Sequence, residues 1–173
     1  MGGGHAPGTG RRGATEFPVG WSRDRIMDAV VDVAKHPDEV PRRQRNGVWR
    51  TVGVRDGVEI VVLVEADGAI RTAYPVTGAG VTRNPDGPVN PAELTVDDLV
   101  AGRISDAATQ LLDGLADRLP ADDLAHYREL YHAGESEELA EVLAAHVDTE
   151  RVPLSQEESA HLTTLRAAWP AAD

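Results

Sequence analysis

The chain has 173 residues, of which 41% are hydrophobic and 27% charged, with a formal net charge of −12 and no cysteine. Such values describe a globular chain. They exclude disulfide frameworks and thiolate metal sites, and the lack of any apolar run of about eighteen residues excludes a membrane-spanning helix. The start Met1-Gly-Gly-Gly-His5 lacks the basic and apolar regions of an export signal, so the expected location of this chain is cytoplasmic.

The acidic total argues against a nucleic-acid partner only until the chain is divided. Residues 1–92 hold 12 Lys+Arg against 11 Asp+Glu, whereas residues 93–173 hold 5 against 18. Asymmetry of this kind predicts two domains with separate partners, or domains that are each other's partner. The expected division is 1–90 and 91–173.

In chain order, Met1 to Gly13 is glycine-rich, lacks apolar periodicity and reads as a loop carrying one histidine, His5. A helix follows, with Ser22 as N-cap, Asp24 in the first turn, and Ile26, Met27, Val30, Val33 and Ala34 at helical spacing until His36-Pro37. Arg42, Arg43 and Arg45 lie in a polar link. Three β-rich runs come next, Val48–Val54, Val58–Val64 and Ala69–Tyr74, punctuated by Asp56-Gly57 and Asp67-Gly68. Asp-Gly between β-branched runs predicts hairpins, hence a three-stranded antiparallel meander. The Pro- and Gly-rich stretch 75–91 reads as a sheet edge running into a linker. Beyond it, four helices are expected: one from a Thr95 cap to Leu119, a second over Ala121–Ala133 ended by Gly134, a third over Ser136–Ala145, and a fourth over Ser155–Trp169 with a Ser155/Glu158 capping box. The fold class is therefore α+β, a helix plus antiparallel sheet, followed by an all-α bundle with short connections.

Gly2-Gly-Gly-His-Ala-Pro-Gly-Thr-Gly10, then Gly13-Ala-Thr-Glu-Phe-Pro18 and Trp21-Ser22, closely resembles the signature of bacterial EndoU-type ribonuclease toxin domains. The resemblance continues through Val33-Ala34, Asp56-Gly-Val58 and Thr72-Ala-Tyr-Pro75, about the first half of the chain. It implies a compact barnase-like fold and cleavage of RNA, often tRNA, without a metal or other cofactor, leaving a 2′,3′-cyclic phosphate. It also implies that such a domain is the lethal end of a larger protein secreted or delivered into competing bacteria.

That reaction needs a base for the 2′-hydroxyl, an acid for the departing 5′-oxygen and charge stabilisation for the phosphorane. By resemblance, His5 is one of the family's two catalytic histidines, in a Gly-Gly-Gly-His element whose glycines let backbone approach phosphate. Thr72 and Tyr74 match a Thr-x-Tyr element, and strand alternation puts them on one face. The run Arg42, Arg43, Arg45 is a candidate grip for RNA phosphates. Two departures point to impaired catalysis. The family's other histidine lies upstream of the Gly-Gly-Gly-His element, which predicts an N-terminally truncated domain, and its lysine position is occupied by Ala14. Lys35, the chain's single lysine, sits at a helix C-terminus, where the helix dipole accounts for it. His36, His126, His132, His146 and His161 have no metal-ligand spacing.

The acidic half, through Leu115–Leu130 and Arg151–Glu158, resembles small helical immunity proteins encoded beside such toxins. The resemblance implies that it blocks the toxin half, in cis or in trans, since a carboxylate-rich surface can occupy a groove built for phosphate. The alternative is a non-enzymatic interaction module whose acidic half binds an outside partner.

Overall fold

The computed structural model describes residues 4–85 and 96–168. The chain divides into two compact units, one of Met1–Asp86 with His132–Gly134 and the other of Gly87–Tyr131 with Glu135–Asp173. The described elements are β1 (Thr15–Glu16), α1 (Arg23–Lys35), β2 (Arg42–Arg43), β3 (Trp49–Arg55), β4 (Val58–Val64), β5 (Ile70–Gly78), β6 (Thr82–Arg83), α2 (Val96–Leu115), α3 (Ala121–Ala133), α4 (Ser136–Glu150) and α5 (Gln156–Ala168), with a short 3-10 turn after α2. The class is α+β, with the strands in the first unit and four of the five helices in the second.

Helix α1 begins where Ser22 Oγ accepts the Arg25 amide at 3.2 Å, satisfying one of the orphan donors of the first turn. It ends at His36, whose amide donates to the Asp32 carbonyl, just ahead of Pro37. Ala29, Val30 and Val33 are buried, and they pack with Phe17, Val58, Ile60 and Val62 into one apolar cluster. The alternate residues of β4 thus face the helix. Arg55, at the end of β3, ties the two layers with bonds to Asp32, Asp38 and the His36 carbonyl.

Strands β2-β3-β4-β5 form an antiparallel sheet in that order. The β3–β4 hairpin turns at Asp56 and Gly57, with φ of 49° and 75°, the left-handed values a two-residue hairpin turn requires. The sheet exceeds the expected meander at both ends. The Arg42–Arg43 link is itself a strand, pairing with Trp49–Arg50. Strand β5 runs through Pro75 to Gly78, because β5 is an edge strand where a missing amide is tolerated and a register shift falls between Glu59 and Ile60, beside Pro75's partner. What reads as linker after Gly78 returns as β6, which pairs with β1 as a separate two-stranded sheet through Thr15↔Arg83 and Glu16↔Thr82.

In the second unit α2 packs along α4 and α5, and α4 against α5. Leu111, Leu115, Leu139, Leu143 and Leu165 are fully buried there. Helix α4 extends to Glu150 rather than Ala145: His146 and Val147 continue its buried face, and it closes at Arg151 in the left-handed conformation. The capping box of α5 is present in both directions, Ser155 N to Glu158 Oε2 at 2.8 Å and Glu158 N to Ser155 Oγ at 3.2 Å. The expected Thr95 cap and Trp169 lie outside the described residues, and no described helix is long and apolar enough to cross a membrane.

Candidate active site

The glycine-rich loop is pinned to β1 residue by residue. The Phe17 amide donates to the His5 carbonyl at 2.9 Å, and His5 Nδ1 lies 2.6 Å from the Thr15 carbonyl oxygen. A carbonyl only accepts, so Nδ1 carries a proton. The imidazole is 3% exposed and tilts against the Tyr74 ring, centroids 5.8 Å apart. His5 is thus a histidine of fixed tautomer, not a solvated loop side chain.

The centre of the loop closes on Glu16. Gly8 N donates to Oε2 at 2.6 Å, Gly10 N to Oε1 at 2.7 Å, Thr9 Oγ1 to Oε1 at 2.8 Å and Asn84 Nδ2 to Oε1 at 2.7 Å. Gly8 and Gly10 have φ of 78° and 65°, which lets both amides converge on one anion at no steric cost. The Asn84 side chain holds the Glu16 carboxyl down to a pKa of about 2, with the Thr9, Gly8 and Gly10 donors adding to it against the cost of burial. The amides of Gly8 and Gly10 are thus engaged by the protein's own carboxylate.

Register places the rest. The row Arg42–Arg50–Leu63–Thr72 crosses the sheet, and Val52–Val61–Tyr74 is the second row along from it on the same face. Thr72 and Tyr74 therefore share a face, while Ala73 between them packs towards the helix-side cluster. The expected arginine trio is divided. Arg42 lies in the Thr72 row. Arg43 is paired with Trp49 on the opposite face, its Nε donating to the Gly47 carbonyl at 3.2 Å. Arg45 is exposed in the turn before β3. Arg43 thus has no place in a groove with Tyr74, because adjacent strand residues point to opposite sides. Arg50, in the same row as Arg42 and Thr72, was not among the expected residues.

Ala14, expected at the family's lysine position, is fully buried, and its carbonyl accepts the Asn84 amide at 2.9 Å. Sequence reasoning also missed Thr15, Glu16 and Asn84. An acid inside a glycine-rich signature is a readable signal for Glu16, since convergent amides need an anion. Asn84 lies 68 residues further on in a stretch that reads as linker and gives none. In the second unit His146 is a packed core histidine, Nδ1 lying 3.0 Å from the Tyr127 hydroxyl. Among the described residues no group of three or more His, Asp or Glu is placed to hold a metal ion.

The described geometry thus sets a histidine of fixed tautomer beside a tyrosine, on a sheet face that also carries threonine and arginine. Residues 1–77 match the family model described as bacterial EndoU nuclease, so that this part of the chain is similar to the nuclease domains of that family. The match ends within β5, whereas Asn84 and β6 complete the loop's support. No curated protein and no solved structure matches the chain.

Proposed function

We propose that the first unit is an endoribonuclease toxin domain acting on RNA, tRNA in particular, by transphosphorylation. The 2′-oxygen attacks the adjacent phosphorus, the 5′-oxygen leaves, and a 2′,3′-cyclic phosphate forms. His5 Nε2 takes the proton from the 2′-hydroxyl or gives one to the 5′-oxygen. Tyr74, fully buried, backs the imidazole, Thr72 contacts the phosphate, and Arg42 with Arg50 holds flanking phosphates. The single observation that carries this reading is the His5 Nδ1 contact to the Thr15 carbonyl beside Tyr74, which prepares one nitrogen for proton transfer.

The chain is a weak catalyst on this reading. Ala14 supplies no cation for the phosphorane, and the loss of such a stabiliser costs about 10² to 10³ in rate. The acidic helical unit is its immunity partner, acting in cis or in trans. Its net charge, 5 Lys+Arg against 18 Asp+Glu over residues 93–173, suits it to compete with RNA for a basic face. The test is a tRNA assay in EDTA. The chain is expected to cleave at or near background, and Ala14→Lys to raise the rate by about 10²-fold, with the separately expressed acidic half suppressing it. Robust cleavage by the unaltered chain, or no gain from a folded Ala14→Lys variant, would count against this assignment.

A further inference from the structure

We propose that Glu16 is the positioning residue of this site: its carboxylate gathers the Gly8 and Gly10 amides, the Thr9 hydroxyl and the Asn84 side chain, and so holds the loop that presents His5. Three consecutive residues bind that loop. Thr15 takes the imidazole through its carbonyl and Phe17 takes the His5 carbonyl through its amide, both near the start of the loop. Glu16 acts through its carboxylate, with bonds of 2.6 to 2.8 Å from donors in the middle of the loop and beyond β6.

The chemistry demands a carboxylate. All four partners are donors, and an ionised carboxylate is acceptor-only, with about four lone-pair sites. A glutamine of the same shape would turn two donors of its own towards them and leave part-buried donors unmatched. Glu16 is 5% exposed, so water does not readily replace it. The depressed carboxyl pKa, about 2, agrees with a group that stays ionised at neutral pH. Asn84 links the cradle to the strand pair, its Nδ2 lying within bonding distance of both Glu16 Oε1 and the Arg11 carbonyl and its amide bonding to the Ala14 carbonyl. The working unit thus extends beyond residue 77.

The role is positioning, not catalysis, because the carboxylate is consumed by the loop and touches no reacting atom. Its test reads the imidazole directly. In the full chain at pH 8, long-range proton–nitrogen correlations, assigned with His5→Ala, should show His5 as the Nδ1–H tautomer. In Glu16→Gln the bond to Thr15 should loosen, the Nε2–H form should appear, and the Gly8 and Gly10 amide resonances should move. Asn84→Ala, which keeps Glu16 and removes one donor, should give the same changes in smaller degree, and it decides the matter if Glu16→Gln does not fold. An unchanged His5 tautomer in the folded variants would overturn the proposal.

The rate arm rests on the nuclease reading. In an Ala14→Lys background, Glu16→Gln should lower kcat on the order of 10²-fold, as displaced catalytic groups do, with KM little changed. A background that cleaves nothing would sink the nuclease reading and leave the tautomer result to judge Glu16 by itself. A background in which Glu16→Gln raised KM while leaving kcat intact would make Glu16 a binding residue and contradict the positioning role.

Discussion

Acid should undo the loop before it undoes most of the first unit, and Glu16 sets the size of the effect. Its carboxyl titrates near 4.5 when free and at about 2 in the folded chain. A folded-state pKa below the unfolded value means that the unfolded chain takes up the proton first. The contribution is therefore complete above about pH 4.5 and is lost as pH falls towards 2. At 1.36 kcal/mol per decade the full difference would reach about 3 kcal/mol. Because Gly8, Thr9 and Gly10 are exposed, water screens the cradle's outer side, and about 1–2 kcal/mol is the expected yield. The assay is urea unfolding of the chain and of Glu16→Gln from pH 7 to 2.5, followed through tryptophan fluorescence. Trp21 and Trp49, both in the first unit, report there. Asp32 and Asp38 are also held below their ordinary values, Asp32 chiefly by Arg55 and Asp38 chiefly by the Val54 amide, so both proteins lose stability in acid. The difference between them isolates Glu16. The variant should start less stable at pH 7, and its gap from the parent should shrink below about pH 4.5 to about a quarter of its full size at pH 2.5. Two curves that fall in parallel across this range would refute the reasoning.

Three other outcomes follow from the geometry. Arg42→Ala and Arg50→Ala should each weaken RNA binding and reduce the salt dependence of binding by about one counterion, whereas Arg43→Ala, on the opposite sheet face, should leave the slope unchanged. Glu16→Ala should let inorganic phosphate perturb the Gly8 and Gly10 amides in a titration where the parent shows no response, since the vacated donors suit an oxyanion. In the helical unit, Leu143→Ala should cost about 2–5 kcal/mol by opening a cavity in a fully buried position, and Ser155→Ala about 1 kcal/mol by removing the α5 cap, both read from denaturant midpoints.

Periodic and capped segments were legible in the sequence. Helix α1 is fixed by Ser22, by its buried Ala29, Val30 and Val33 and by Pro37, and the β3–β4 hairpin by Asp56-Gly57. The α5 cap was readable from Ser155 and Glu158. Elements stabilised by distant partners were not. Strands β1 and β6 are two residues each and exist because they pair with one another from distant parts of the sequence. Pro75 concealed the continuation of β5, which only an edge position permits. Arg42–Arg43 looks like a solvated link until β3 offers it a partner. The site divides in the same way. His5, Thr72 and Tyr74 could be singled out from local signature, and Thr72 and Tyr74 could be placed on one face by alternation alone. The split of Arg42 from Arg43, the inclusion of Arg50 and the reach of Asn84 to Glu16 are matters of register and long-range closure, which local pattern does not encode.

The most direct measurement of the central claim is the chemistry of the ends produced. tRNA incubated in EDTA with the Ala14→Lys chain should yield 2′,3′-cyclic phosphate and 5′-hydroxyl termini, DNA of the same sequence should remain intact for want of a 2′-hydroxyl, and His5→Ala should abolish the products. Cleavage that leaves 3′-hydroxyl and 5′-phosphate ends, that extends to DNA, or that survives His5→Ala would contradict the account.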